Sequence, residues 1–156
     1  MKWVTRRNIH VDRTSCPWLI RKFIDPKAEF VFVGPNTDVA TLDGHAFDMR
    51  GAEYSHEGDN CTFQVMVKRH GLDSDPALVK LGRIIRDADL PPSRTRRPEA
   101  AGLDTIIRGL QLSVPDDHDK LILVRLLYDA LDAYTSRTTI THDSRVASSQ
   151  TTLRVD

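Results

Sequence analysis

The chain has 156 residues, 40% of them hydrophobic and 28% charged, with 22 basic side chains balancing 22 acidic ones. This describes one soluble globular domain with one core, and zero formal net charge argues against a generic polyanion binder. Two cysteines are too few for a disulfide framework, and aromatics at 6% are too sparse for a base-stacking surface.

The start, "MKWVTRRNIH", turns charged at once and lacks the apolar run of a signal peptide. The longest apolar run, "LILV" at 121–124, cannot span a bilayer, so a cytoplasmic domain without membrane contact is expected. "WVTR" at 3–6 reads as a first strand, and 17–25 as a helix with Pro17 in its first turn and "DP" as its stop. "EFVFV" at 29–33 is a dense strand, which makes strand, helix and strand a short crossover with a parallel pair. "HAFDM" at 45–49 and "AEYS" at 52–55 are weaker strand signals around Arg50 and Gly51.

Helices dominate from residue 61 on. "TFQVMVKRH" ends at Gly71, and "DPALVKLGRIIRDAD" opens on Asp75 as cap with Pro76 as first helical residue. Pro98 and Glu99 begin a helix with Leu103, Ile106, Ile107 and Leu110 on one stripe. Asp116 caps the last helix, whose inner side reads Leu121, Val124, Leu127, Leu131 and Tyr134. The Ser- and Thr-rich stretch 137–156 is expected to be a flexible tail, leaving 1–136 as the single domain. The fold class is therefore α+β or α/β: a small mixed N-terminal sheet with an initial β-α-β unit, packed against four to five helices.

Two clusters carry chemistry. In "HVDRTSCPW", Cys16 near a helix start is placed for thiolate stabilisation, while a buried packing cysteine is the competing reading. Arg6, His10, Asp12, Arg13 and Arg21 form a candidate oxyanion cradle, in which Asp12 and Arg13 could equally pin the loop as an ion pair. In "GAEYSHEGDNCTF", Glu53, His56 and Cys61 offer carboxylate, imidazole and thiolate, the donor set of a borderline divalent metal. His56 is the first choice as ligand or proton carrier, with Glu53, Asp87 and Asp89 as further ligands; Asp87 and Asp89 sit at a helix end where acids oppose the dipole. His118 remains open, and the basic stretch 93–99 reads as a solvated loop. The catalytic candidates are Cys16 and His56.

Taken in order, "WVTRRNIHVDRTSCPWLIRKFIDPKAEFVFV", "EYSHEGDNCTF", "DPAL", "RIIRDAD", "PEAAGL", "DDH" and "YDAL" resemble the chromate-resistance protein family, in particular the C-terminal domain of the chromate-responsive regulator. The resemblance runs from about Trp3 to Tyr134. It implies a stand-alone domain that senses or binds chromate or a related oxyanion; the donor set around His56 adds the expectation of a divalent metal, of unknown identity, as cofactor. The alternatives are a metal- or thiol-dependent detoxification or redox enzyme, and a DNA-binding regulator. Without the regulator's N-terminal region, nucleic acid is the weakest of these partners; a homodimer stays open.

Overall fold

A computed structural model describes residues 1–90 and 97–151, the stretch from 140 on as backbone only. The elements follow in the order β1 (Lys2–Arg6), α1 (Val11–Leu19), a π-helical turn (Ile20–Ile24), β2 (Glu29–Val33), a 3-10 turn (Val39–Thr41), β3 (His45–Ala46), α2 (Thr62–Arg69), α3 (Pro76–Asp89), α4 (Pro98–Ser113) and α5 (Asp117–Thr151). The α+β architecture is as the sequence predicts, and the two ladders of its small sheet are both parallel rather than mixed. β1 lies in the centre, pairing with β2 from Lys2↔Glu29 to Arg6↔Val33 and with β3 at Trp3↔His45 and Val4↔Ala46. Parallel strands cannot be joined by a tight hairpin and need a crossover, which explains why a helix intervenes between β1 and β2. Gly44 allows β3 to close on β1: a Cβ there would meet the Lys2 carbonyl oxygen at 2.7 Å, and its φ is +135°.

The first helix begins earlier than the sequence suggests. Pro17 lies inside α1, not at its start, and the helix enters at Val11 behind His10. His10 makes no side-chain cap; instead Asp89, at the far end of α3, accepts the Asp12 N–H at 3.1 Å. Proline inside a helix removes one ladder donor, and after Pro17 the chain widens into the π-helical turn, closed by Asp25 N–H donating to the Ile20 carbonyl at 2.7 Å.

The local helix signals elsewhere hold. Asp75 accepts the Ala77 N–H at 2.8 Å with Pro76 in the first turn of α3. Asp116 accepts the N–H groups of His118 and Asp119 at 2.8 and 3.1 Å. The inner face of α5 runs Leu121, Val124, Tyr128 and Thr135, while Tyr134 turns outward to Glu99. Helix α5 continues past Ser136, where the sequence reading begins a tail, to Thr151; residues 152–156 lie outside those described, as do 93–96 of the basic stretch. Of the two weaker strand signals, the first shortens to β3, and the second contributes a single bridge, Phe47 to Tyr54.

One core joins sheet and helices, with Trp3, Ile9, Phe63, Met66, Leu81 and Tyr128 among its buried side chains. It places the N-terminus of α1, the N-terminus of α2 and the C-terminus of α3 against one another.

Candidate metal centre

Helix N-termini carry unpaired N–H groups that need acceptors. Two of these helices find theirs in carboxylates from distant elements. Asp12, fully buried in the first turn of α1, accepts the Thr62 N–H at 2.6 Å and the Phe63 N–H at 3.3 Å, and so caps α2. Asp89 in turn caps α1. The backbone therefore fixes both carboxylates in place, and with them a third, Asp48, whose Oδ1 accepts from the Thr62 hydroxyl at 2.9 Å.

All three point at one imidazole nitrogen. His56 Nε2 lies 3.1 Å from Asp12 Oδ2, 3.2 Å from Asp48 Oδ1 and 3.6 Å from Asp89 Oδ2. The two sequence clusters thus converge on a single site. One ligand atom from each of Asp12, His56 and Asp89 lies within 4.8 Å of the others.

The electrostatics follow from this crowding. Hydrogen bonds to Asp12 and Asp48 raise the His56 pKa to about 10, so the imidazole is an imidazolium at neutral pH. Burial pushes the Asp12 carboxyl up to about 6, against the lowering effect of His56. For Asp48 burial works in the same upward direction, but the His56 hydrogen bond and Arg13 outweigh it and hold the carboxyl below its ordinary range. Between about pH 6 and 10 the centre therefore holds a cation among carboxylates.

His10 extends the network. Its Nδ1 lies 3.5 Å from Asp89 and its Nε2 2.9 Å from Asp104, which also accepts from Arg108 at 2.9 Å. An open pocket of about 310 Å³ adjoins His56, lined by Arg6, Asp48, Met49, Arg50, Gly51 and Ser55. The Nε of Arg6 is buried with no hydrogen-bond partner among the described residues.

The remaining sequence candidates are placed differently. Arg13 is committed to Asp48 at 2.9 Å, and Arg21 lies over the Phe30 ring with a 3.4 Å contact to the Ala28 carbonyl, so Arg6, Arg13 and Arg21 form no common cradle. Asp87 and Asp89, two positions apart, stand roughly 200° apart around a helix. Accordingly Asp89 enters the centre while Asp87 pairs with Arg97 and Arg86. Glu53 bonds His45 at 2.8 Å and is absent from the centre. Cys16 and Cys61 are buried, and burial, followed by Asp12, pushes both thiols well up, the opposite of an activated thiolate. His118 packs edge-on against Phe32, with ring centroids 4.8 Å apart.

Sequence reasoning missed Asp48 and Asp104. Asp48 has a φ of +49°, a left-handed conformation in which Asp is enriched, but nothing in "FDMRG" marks that residue as facing His56.

As a donor set, one imidazole nitrogen with carboxylate oxygens suits a divalent first-row metal. The carboxylates are oriented by backbone N–H groups, and His56, with 37% of its side chain exposed, opens to solvent. The chemistry of the donors and their orientation therefore fit a cation.

Comparison with known proteins extends the likeness over the same stretch. The family described as ChrB, C-terminal domain, matches residues 3–135. Protein ChrB of Cupriavidus metallidurans is 37% identical over 132 residues, which cover 83% of this chain and 39% of that protein. The chain thus spans well under half the length of this relative. No solved structure matches. With a match that takes in β1 from Trp3 on, the whole Asp12–His56–Asp89 cluster and α5 as far as residue 135, this chain belongs to the ChrB C-terminal domain family.

Proposed function

We propose that this domain serves chromate resistance by holding a divalent metal ion between Asp12, His56 and Asp89 and receiving a tetrahedral oxyanion such as chromate in the adjoining pocket. The observation that carries this reading is the convergence of the three ligand atoms within 4.8 Å at the side of a pocket lined by Arg6 and Arg50.

An oxyanion directly among Asp12, Asp48 and Asp89 would meet like charge. The oxyanion site therefore lies not at Arg13, which is neutralised by Asp48, but toward Arg6 and Arg50. Arg6 brings a buried Nε donor without a partner among the described residues, and Ser55 brings a hydroxyl to the same pocket. A bound divalent ion supplies positive charge to an oxyanion oxygen. His56 must release its Nε2 proton to become a ligand, and Asp12 and Asp89 replace that proton's charge balance with the metal's. Asp48 and Arg13 stay paired beside them and fix the loop that carries His56.

Metal analysis of the purified protein after incubation with Mn²⁺, Fe²⁺ or Zn²⁺ tests the first half. Calorimetric titration of the loaded protein with chromate and with sulfate tests the second. One ion per chain is expected, together with oxyanion binding that Arg6→Ala weakens about tenfold, the scale of one charge-assisted hydrogen bond. Wild-type oxyanion affinity in both Arg6→Ala and Arg50→Ala would contradict the assignment.

A further inference from the structure

A mainly apolar opening lies on the other side of α1. There Thr14, Pro17, Trp18 and Arg21, spaced i, i+3, i+4 and i+7, face Leu121, Val124 and Arg125, spaced i, i+3 and i+4 on α5. The two helices are held together nearby by Thr14 Oγ1 and the Tyr128 hydroxyl at 2.7 Å, and by the Trp18 indole N–H donating to Asp129 at 2.9 Å. Between them remains a cavity of about 320 Å³. That volume lies at the lower end for small-molecule sites, and its walls are mainly the side chains of Pro17, Trp18, Leu121 and Val124.

The rim is cationic. Lys22 is occupied by Asp132 at 2.8 Å, and Asp129 by Trp18. Arg125 is exposed and has no hydrogen bond or ion pair among the described residues, while Arg21 is held over Phe30 with only a long contact to a carbonyl. An apolar slot with a free guanidinium at its edge complements a molecule with an apolar body and one planar anionic end. Guanidinium matches carboxylate in a two-point contact, so charge and shape select the same class of ligand.

We propose that the α1–α5 groove is a binding site for a small amphipathic carboxylate, its apolar body against Trp18, Leu121 and Val124 and its carboxylate on Arg125. This site is separate from the metal centre and shares only helix α1 with it.

The two tryptophans make the test selective. The Trp18 indole lines the groove, whereas the Trp3 indole donates to Asp25. Sodium octanoate titrated into the full chain should move the Trp18 indole N–H signal in ¹H–¹⁵N spectra with saturation, leaving the Trp3 signal in place. Acetate, lacking the body, and 1-octanol, lacking the charge, should fail to saturate. Arg125→Glu, a change at an exposed position, should weaken octanoate at least about tenfold, and Arg125→Lys less. Absence of saturation with octanoate, equal shifts of both indoles, equal binding of 1-octanol, or undiminished binding by Arg125→Glu with a native spectrum would each overturn the proposal.

Discussion

The two sides of α1 solve opposite problems. Toward α2 and α3 it presents Asp12, fully buried, and Arg13, half-buried, in a polar network whose partners come from other segments. Toward α5 it presents Thr14, Pro17 and Trp18, which with Arg21 of the following π-helical turn make a mostly apolar wall of the groove. The first side is organised by charge and tolerates little change, because each buried group is the partner of another. The second is organised by shape, and its charges sit on the rim where water can replace a lost contact. Substitutions should therefore be costly on the first side, and on the second nearly silent for stability where they fall on the exposed rim, as at Arg125.

The largest effect is expected from Asp12→Ala. It leaves the N–H groups of Thr62 and Phe63 without their acceptor and removes the strongest partner of His56, a cost of about 3–5 kcal/mol in urea denaturation. Asp12→Asn, which keeps the shape but not the charge, should fall between. Thr62→Val removes the hydroxyl that Asp48 accepts and should cost about 1.5 kcal/mol by the same measurement. A similar cost for Arg125→Glu would break the contrast, since that exposed change is expected to stay within about 0.5 kcal/mol of wild type.

The pH dependence sharpens the contrast further. The folded His56 pKa, about 10, lies above its ordinary 6.5, so its contribution to stability is fully present below 6.5 and is lost as pH rises through 10. With more than a third of the side chain exposed, screening reduces this to about 1 kcal/mol. Denaturation midpoints of wild type and His56→Ala should accordingly converge between pH 7 and 10. A constant gap across that range would place the effect of His56 in packing rather than charge. Tyr128→Phe, on the α5 side, should cost about 1 kcal/mol independent of pH in the same window, since it removes the bonds to Thr14 and the Val11 carbonyl.

What was legible in the sequence divides along the same line. Asp75 with Pro76 and Asp116 were readable as caps because the acceptor and the helix it serves are adjacent. The entry of α1 was not, because its acceptor is Asp89, on another helix; Pro17 then offered a false local start. His56 and Asp89 are legible as candidate ligands from residue type, and Glu53 and Asp87 come with them, since neither composition nor spacing shows which way a loop carboxylate or a helix-end acid turns. Asp12 was legible as a site residue but assigned to an anion cradle, because its burial and its role at α2 arise only when the chain folds. The inner face of α5 was right at Leu121 and Val124 and drifted by Tyr134, where the true period carries Tyr128 and Thr135 inward.

Calorimetric titration of the metal-free protein with Mn²⁺ or Zn²⁺, repeated in buffers of different ionisation enthalpy and at rising pH, tests the proposed metal centre most directly. One ion should bind per chain with release of about one proton from His56, affinity should climb up to about tenfold per pH unit below pH 10, and His56→Ala and Asp89→Ala should each abolish saturable binding. Absence of saturable binding by the wild type, or wild-type affinity in the folded His56→Ala protein, would contradict it.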